Sequence, residues 1–259
     1  MCTSDHFSDS IPGVRKQERL SAIMDRVAER GSVDVNDLAS TLGVSGATVR
    51  RDLQALSSGK LLVRTHGGAV ARLVDTRDGA SHLNEKRRIG SAAASLVGDG
   101  AVVGFTGGTT TLEVARALAH RGDITFVTNA INIASELVGR PGLRLVVIGG
   151  IVRSSFELVG PAAEAMLANY HLDIAFIGVD GLTPQEGCTT HDEMEAQTDL
   201  AFLRRARRSI VIADSSKIGK VTFARICKVT DVDEIITDRG ISREQLRSLS
   251  SAGAQVRIV

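Results

Sequence analysis

The sequence predicts an α/β protein: an N-terminal winged helix-turn-helix, then a mostly parallel α/β domain. Three observations carry the prediction. Between Val14 and Ala69, three short helical patterns separated by glycines lead into two extended pieces. From Glu85 onward, short β-branched runs alternate with amphipathic stretches, the pattern of βαβ units. Aromatics make up only 3% of the 259 residues, with no Trp and one Tyr, so the core must be built from Ala, Val, Ile and Leu. Such a core suits a parallel sheet covered by helices. The expected division is residues 14–72 for the helix-turn-helix, 73–84 for a linker and 85–259 for the α/β domain.

Residues 1–13 are polar and rich in turn formers, as in a disordered tail. Leu20, Ile23, Met24 and Val27 then fall at i, i+3, i+4 and i+7, one apolar stripe of a first helix that Gly31 ends. Asn36 is the candidate N-cap of a second helix carrying Leu38, Ala39 and Leu42, which Gly43 breaks. Ser45 caps a third helix whose apolar face is Val49, Leu53 and Leu56, and Gly59 stops it. Leu61–Arg64 and Ala69–Arg72 read as a hairpin around Thr65-His66-Gly67-Gly68. Residues 73–84 have no sustained apolar period and contain Gly, Ser, Asn and Asp, the marks of a linker. Beyond them, strands are expected at Ala101–Phe105, Ile124–Thr128, Leu143–Ile148, Ile174–Val179, Ile210–Ala213, Glu234–Thr237 and Val256–Val259. Helices are expected near 86–97, 110–120, 130–138, 160–169, 191–207 and 242–251.

Hydrophobic residues at 43% and charged residues at 24% are ordinary for a soluble globular chain and allow a sizeable core. The net charge is +1, but it is unevenly spread: residues 14–72 hold ten Lys/Arg against six Asp/Glu. A local basic excess is what a DNA-binding module needs. The three Cys are far apart and form no C-x-x-C pair, so neither a zinc site nor a disulfide framework is expected. No secretory leader and no run of 18 apolar residues is present, so a reducing cytoplasm is the expected compartment, with no membrane association.

The tight Gly43-Val44-Ser45 turn makes helices two and three a helix-turn-helix, and the third helix would enter the major groove. Its outer face presents Ser45, Thr48, Arg50, Arg51 and Gln54. An Arg fork matches guanine O6 and N7, and short hydroxyls can reach phosphate or a base edge. Lys60, Arg64 and His66 would bring the wing to the DNA backbone. The alternative is a solvated helix face, with Asp52 pairing one of the two arginines.

In the second half, Gly104-Phe-Thr106-Gly107-Gly108-Thr109-Thr110-Thr111 follows a strand and opens a helix. Backbone N–H groups, hydroxyls and the positive helix end make such a turn an anion site suited to phosphate. It is neither a Walker A loop nor a dinucleotide fingerprint, and an ordinary Thr-capped turn is the alternative. Asn129, Gly150, Asp180 and Lys217 stand at other strand ends, at the edge where open α/β sheets bind ligands. Lys217 would meet a phosphate; Asp180 and Asn129 would meet sugar hydroxyls. His191-Asp192-Glu193 reads chiefly as helix-start chemistry, with Glu193 a candidate for the pocket. Glu157-Leu-Val-Gly160-Pro161 stands out without an assigned role.

The motifs also resemble a known family. Ser45-Gly-Ala-Thr48-Val-Arg50-Arg51-Asp52-Leu53, Gly59-Lys60-Leu61 and Arg64-Thr-His66-Gly67-Gly68-Ala69 are similar to the S-x-x-T-[IV]-R-R-D-L … G … R-x-H-G-G-A pattern of DeoR-type regulators. Glu85-Lys86, the Gly/Thr loop, Val127-Thr128-Asn129, Ile148-Gly149-Gly150, Gly178-Val-Asp180-Gly181 and Ala213-Asp214-Ser215-Ser216-Lys217 resemble successive motifs of the DeoR sensor domain. The resemblance implies a sensor domain akin to ribose-5-phosphate isomerases that binds phosphorylated sugars, in a homodimer or homotetramer acting on an operator. One departure matters: the family loop commonly begins Asp-Ser-Gly-Thr-Thr, where this chain has Thr106-Gly107-Gly108-Thr109-Thr110.

The combined expectation is a DNA-binding regulator, a repressor of carbohydrate-metabolism genes, controlled by a phosphorylated sugar. The effector set is Thr106, Gly107, Gly108, Thr109, Thr110, Thr111, Asn129, Gly150, Asp180, Glu193 and Lys217. No catalytic residue, metal or cofactor is expected. Two alternatives remain: a sugar-phosphate isomerase with Asp180 or Glu193 as general base, in which the N-terminal module has no purpose, and a DNA binder whose second domain only oligomerises.

Overall fold

A computed structural model describes residues 16–30, 32–58, 62–65, 67–71 and 82–259. The polar tail, Gly31, Gly59, Lys60, His66 and linker residues 73–81 lie outside the described residues. The chain divides into two compact units, residues 1–74 and 75–259.

In the first unit, helix α1 (Lys16–Arg30) is followed by strand β1 (Ser32–Asp34), helix α2 (Val35–Leu42), helix α3 (Gly46–Ser58) and strands β2 (Leu62–Thr65) and β3 (Gly68–Ala71). The expected apolar stripes converge. Ile23 and Val27 of α1 pack with Leu38 of α2, with Val49, Leu53 and Leu56 of α3, and with Leu62 and Ala69 of the hairpin. Two local details differ from expectation. Asp34, not Asn36, caps α2: its Oδ1 accepts from the Asn36 and Asp37 amides at 2.7 and 3.4 Å. Its extended backbone (φ −101°, ψ 146°) belongs to β1, so the helix starts as soon as the strand ends. That strand was not expected. It pairs antiparallel with β3, Ser32 opposite Val70, and gives the hairpin a third strand. Gly43 ends α2 in the left-handed region (φ 63°), and the Ser45 Oγ caps α3 by accepting from the Thr48 amide at 3.2 Å.

The second unit begins with α4 (Leu83–Ala94), three residues earlier than expected. It continues through β4 (Val102–Phe105), α5 (Thr109–Leu118), β5 (Thr125–Thr128), α6 (Ile131–Leu137), β6 (Arg144–Val147), β7 (Ile151–Val152), β8 (Leu158–Val159) and α7 (Pro161–Leu167). Then come β9 (Ile174–Gly178), β10 (Gly181–Thr183), β11 (Gly187–Thr190), α8 (Glu193–Arg205), β12 (Ser209–Ile212), β13 (Ala224–Cys227), β14 (Glu234–Thr237), α9 (Arg243–Ser251) and β15 (Val256–Ile258). The seven expected strands form one sheet, in the order β15-β14-β12-β9-β4-β5-β6. Every pairing in it is parallel.

Both faces of this sheet are covered, and successive residues alternate between two cores. Val103, Phe105, Phe126, Phe176, Ile210, Ile212 and Ile236 face one core, shared with α4, α5 and α6. Val127, Ala175, Ile177, Val211 and Ile235 face the other, shared with α7, α8 and α9. Phe105 anchors the first core, its ring 5.7 Å from that of Phe126 and 5.8 Å from that of Phe176.

The strand order reverses at β4. The chain runs from β4 outward through β5 and β6, then returns to place β9 on the other side of β4. At such a switch point the loops leaving the two central strands diverge and open a crevice at their carboxyl ends. Two small additions flank that edge: the antiparallel β7–β8 hairpin, and an antiparallel sheet in the order β10-β11-β13.

Candidate functional sites: a recognition helix and a Gly/Thr-loop cavity

In the first unit, α3 separates its residues by face. Val49, Asp52, Leu53 and Leu56 are buried, whereas Ala47, Arg50, Arg51 and Gln54 are exposed and Thr48 is half-buried. The identity of Asp52's partner decides how the arginines stand. Asp52 is buried and faces α1, where its carboxylate accepts from Arg19 Nε at 2.6 Å and Arg19 Nη2 at 3.2 Å. It therefore ties α3 to α1 and leaves the charges of Arg50 and Arg51 on the open face. Gln54 Oε1 accepts from Arg64 Nη1 of β2 at 2.6 Å, so the wing is fastened to the exposed face of α3. Ser45 and Thr48 hydroxyls lie 3.0 Å apart at the start of the helix.

In the second unit, a cavity of about 430 Å³ opens at the switch point. Its wall is built from strand-end turns. Gly107, Gly108, Thr109 and Thr110 come from the turn after β4; Gly178, Val179 and Asp180 from the end of β9; Ala213, Asp214 and Lys217 from the turn after β12. Gly108 is the N-cap of α5 and holds φ at 118°, a conformation closed to most side chains. The first N–H groups of α5 have no carbonyl one turn back to accept them, and they lie at the positive end of the helix dipole. Thr109 and Thr110 are the first two residues of that helix, and both line the cavity. Lys217 Nζ lies 3.5 Å from Asp180 Oδ1 across the cavity wall. Lys86 of α4, 1% exposed, also lines the cavity.

Of the expected effector residues, the structure brings together Gly107, Gly108, Thr109, Thr110, Asp180 and Lys217. The others lie elsewhere. Thr106 Oγ1 accepts from the Gly178 amide at 3.0 Å, and Thr111 Oγ1 donates to the Gly108 carbonyl at 2.8 Å. Those two hydroxyls fix the loop from behind. Asn129 is buried and donates to Glu157 Oε2 at 3.0 Å. Gly150 packs against the β8 backbone, where a Cβ would fall 2.7 Å from the Val159 carbonyl oxygen. Glu193 is exposed in the first turn of α8. Asp192 is the N-cap there, its Oδ1 accepting from the Met194 and Glu195 amides at 2.9 and 3.1 Å.

Several lining residues have no place in the expected set. Ser155 and Glu157 enter from the β7–β8 hairpin, Thr190 from β11, and Glu195 and Asp199 from α8. Glu195 accepts from Ser155 Oγ, and Thr190 Oγ1 lies 3.0 Å from its other oxygen. Burial and the nearby Glu195 charge push the Glu157 carboxyl up to about 8, against hydrogen bonds from Asn129 and the Gly107 amide. Burial pushes Asp199 up as well, helped by the charges of Glu157 and Glu195. The signal for Lys86 was present: it shares the buried α4 stripe with Ile89, Gly90 and Ala93, a place for an apolar residue. Among the described residues, no group of three or more His, Cys, Asp or Glu is arranged to hold a metal ion, and no helix is long and apolar enough to cross a membrane.

Comparison with known proteins accords with both units. Residues 19–73 match the DeoR-like helix-turn-helix domain, and residues 81–239 match the DeoR C terminal sensor domain. A protein of Escherichia coli O157:H7 named "Putative aga operon transcriptional repressor" is 37% identical over 251 residues, covering 93% of each chain. The HTH-type transcriptional regulator GlpR of Haloferax volcanii is 34% identical, covering 92% of this chain and 96% of that one. The HTH-type transcriptional repressor GlcR of Bacillus subtilis is 32% identical, covering 86% and 89%. Among solved structures, ribose 5-phosphate isomerase A from Methanocaldococcus jannaschii aligns with a TM-score of 0.38 at 20% identity, over 53% of this chain and 55% of that one. The chain belongs to the DeoR family and is a DNA-binding transcriptional regulator.

Proposed function

We propose that this regulator is a repressor of carbohydrate-metabolism genes, released from its operator by a phosphorylated sugar bound in the second unit. The observation that carries the reading is the Gly/Thr loop at the start of α5, which sets the first N–H groups of the helix and two threonines in the wall of the cavity lined by Lys217. Amides at a helix N-terminus favour a phosphate dianion, and Lys217 adds a cation. Asp180 offers an acceptor to the sugar. The names of the relatives GlcR and the aga-operon protein support repression.

On DNA, α3 lies in the major groove. Arg50 and Arg51 divide base-edge and phosphate contacts between them, with Ser45, Thr48 and Gln54 beside them and Arg64 at the wing. One recognition helix reads few base pairs, so the protein works as a homodimer or homotetramer, in the cytoplasm where its operator lies. The effector acts by binding more tightly to the state that fits the operator poorly. The cavity serves as a sensor, not as an isomerase active site.

The test is a thermal-shift screen of the full chain against pentose and hexose phosphates, followed by operator titration with each hit. An effector at a hundred times its Kd should add about 2.7 kcal/mol of stability and weaken operator binding. A chain that no phosphorylated sugar stabilises would overturn the proposal, as would a hit that the protein converts into its isomer.

A further inference from the structure

The Gly/Thr loop carries no carboxylate of its own, yet one reaches it from outside. Glu157, on the β7–β8 hairpin, occupies the space that Gly107 leaves empty: a Cβ on residue 107 would fall 2.2 Å from Glu157 Oε1. Asn129 Nδ2 holds the other oxygen at 3.0 Å. Facing the same cavity from α8 are Glu195 and, one turn on, Asp199. Asp199 is only 3% exposed, and its Oδ1 has no hydrogen-bond partner. An orphaned buried acceptor costs about 1–3 kcal/mol, and it lies in the wall of an open cavity.

We propose that Glu157, Glu195 and Asp199 form a second subsite that receives the hydroxyl donors of the phosphorylated effector, with Glu157 as the residue that sets specificity. The inference rests on the phosphorylated-effector reading and deepens it. The loop, Lys86 and Lys217 offer donors and positive charge to one end of the ligand. A carboxyl group offers acceptors in either protonation state and a donor only when neutral, so the other end should bring hydroxyls, which both donate and accept. A polyhydroxylated carbon chain fits both demands, and an alkyl chain fits only the first. Burial and mutual repulsion hold Glu157 and Asp199 toward their neutral forms in the empty cavity, and a hydroxyl donor would supply the hydrogen bond that Asp199 Oδ1 lacks. Glu157 has this place because residue 107 is glycine, so the two positions act as one unit.

The test is calorimetric titration of the full chain with inorganic phosphate, hexyl phosphate, glucose 6-phosphate, fructose 6-phosphate and ribose 5-phosphate. At least one sugar phosphate should bind the wild type about tenfold or more tightly than hexyl phosphate, one net hydrogen bond or more. Glu157→Ala should cut that ratio below about threefold, and Gly107→Ala should do the same by displacing the Glu157 side chain. Hexyl phosphate binding the wild type as tightly as every sugar phosphate would overturn the subsite, with no variant needed. A ratio that survives in Glu157→Ala would overturn the role of Glu157. If neither inorganic phosphate nor any organic phosphate binds, the phosphorylated-effector reading itself has failed, a result distinct from binding without discrimination.

Discussion

The two units handle charge in opposite ways. In the first, the groups offered to a partner stand on an open helix face: Arg50, Arg51 and Gln54 are exposed, and the Asp52 carboxylate is turned inward, onto Arg19. In the second, the offered groups are enclosed. Lys86, Glu157, Glu195, Asp199 and Asp214 are all buried, yet all line one cavity. A DNA backbone is a large polyanion that exposed, flexible cations can meet in water, with affinity governed by salt. A small ligand gives few contacts, so each must be strengthened by removing water. The first unit therefore has little at stake electrostatically when empty, whereas the second holds carboxyls that are costly to ionise until something binds.

Breaking the buried charge of Asp52 in the first unit gives the largest effect. Asp52→Ala removes the carboxylate that ties Arg19 of α1 to α3 and should destabilise that unit by about 2–3 kcal/mol, somewhat below a fully enclosed pair because Arg19 keeps some water contact. Chemical denaturation followed by a probe in each unit should show the first transition moving and the second staying in place. A shift of both would mean that the units unfold as one.

Removing an outward charge should leave folding alone and act on DNA. Arg51→Ala should weaken operator binding by about 1–3 kcal/mol if it reads a base, with lost preference for the operator over random DNA. A phosphate contact would instead weaken both alike and lower the salt dependence. Ser45→Ala removes the α3 cap and should cost about 1 kcal/mol of stability in the first unit, measured by the same denaturation.

The enclosed carboxyls predict a pH dependence of stability for the second unit. The Glu157 carboxyl titrates at about 8 when folded and at an ordinary 4.5 when unfolded, so the folded state binds more protons between those values. Its contribution is fully present below 4.5 and is lost as pH rises to about 8. Asp199 acts in the same sense. Asp238 acts in the opposite one: burial raises it, but bonds from the Ser215 and Gly240 amides prevail and hold it low, so its contribution is lost as pH falls. Thermal melts of the ligand-free protein should show the midpoint falling across neutral pH, and Glu157→Gln should flatten that slope. An unchanged slope in the variant would remove Glu157 as its source.

The same contrast explains what could be read in advance. The α3 face was legible because a helix repeats every 3.6 residues and Val49, Leu53 and Leu56 mark its inner side. The seven parallel strands were legible as β-branched runs. Strand β1 was not: three residues long, it exists through its pairing with β3, far along the chain. In the cavity, the strand-end turns could be found because the ligand edge of a parallel sheet is known from topology. Glu157 and Glu195 could not, since a charged residue on a hairpin or helix looks solvated until the tertiary fold buries it, whereas Lys86 carried a signal in its place on the apolar stripe of α4. Thr106, Thr111 and Asn129 show the same limit from the other side. Their side chains look like ligands in a line of sequence, but they hydrogen-bond inward and hold the loop and Glu157 in place.

In the proposed switch, an anion held at the start of α5 controls DNA binding by α3. The most direct test is operator titration of wild type and Lys217→Ala, each with and without the phosphorylated sugar found by thermal shift. The account predicts that both bind operator alike without effector, and that effector releases the wild type but not the variant. A Lys217→Ala protein released by the same effector concentration as the wild type would contradict it.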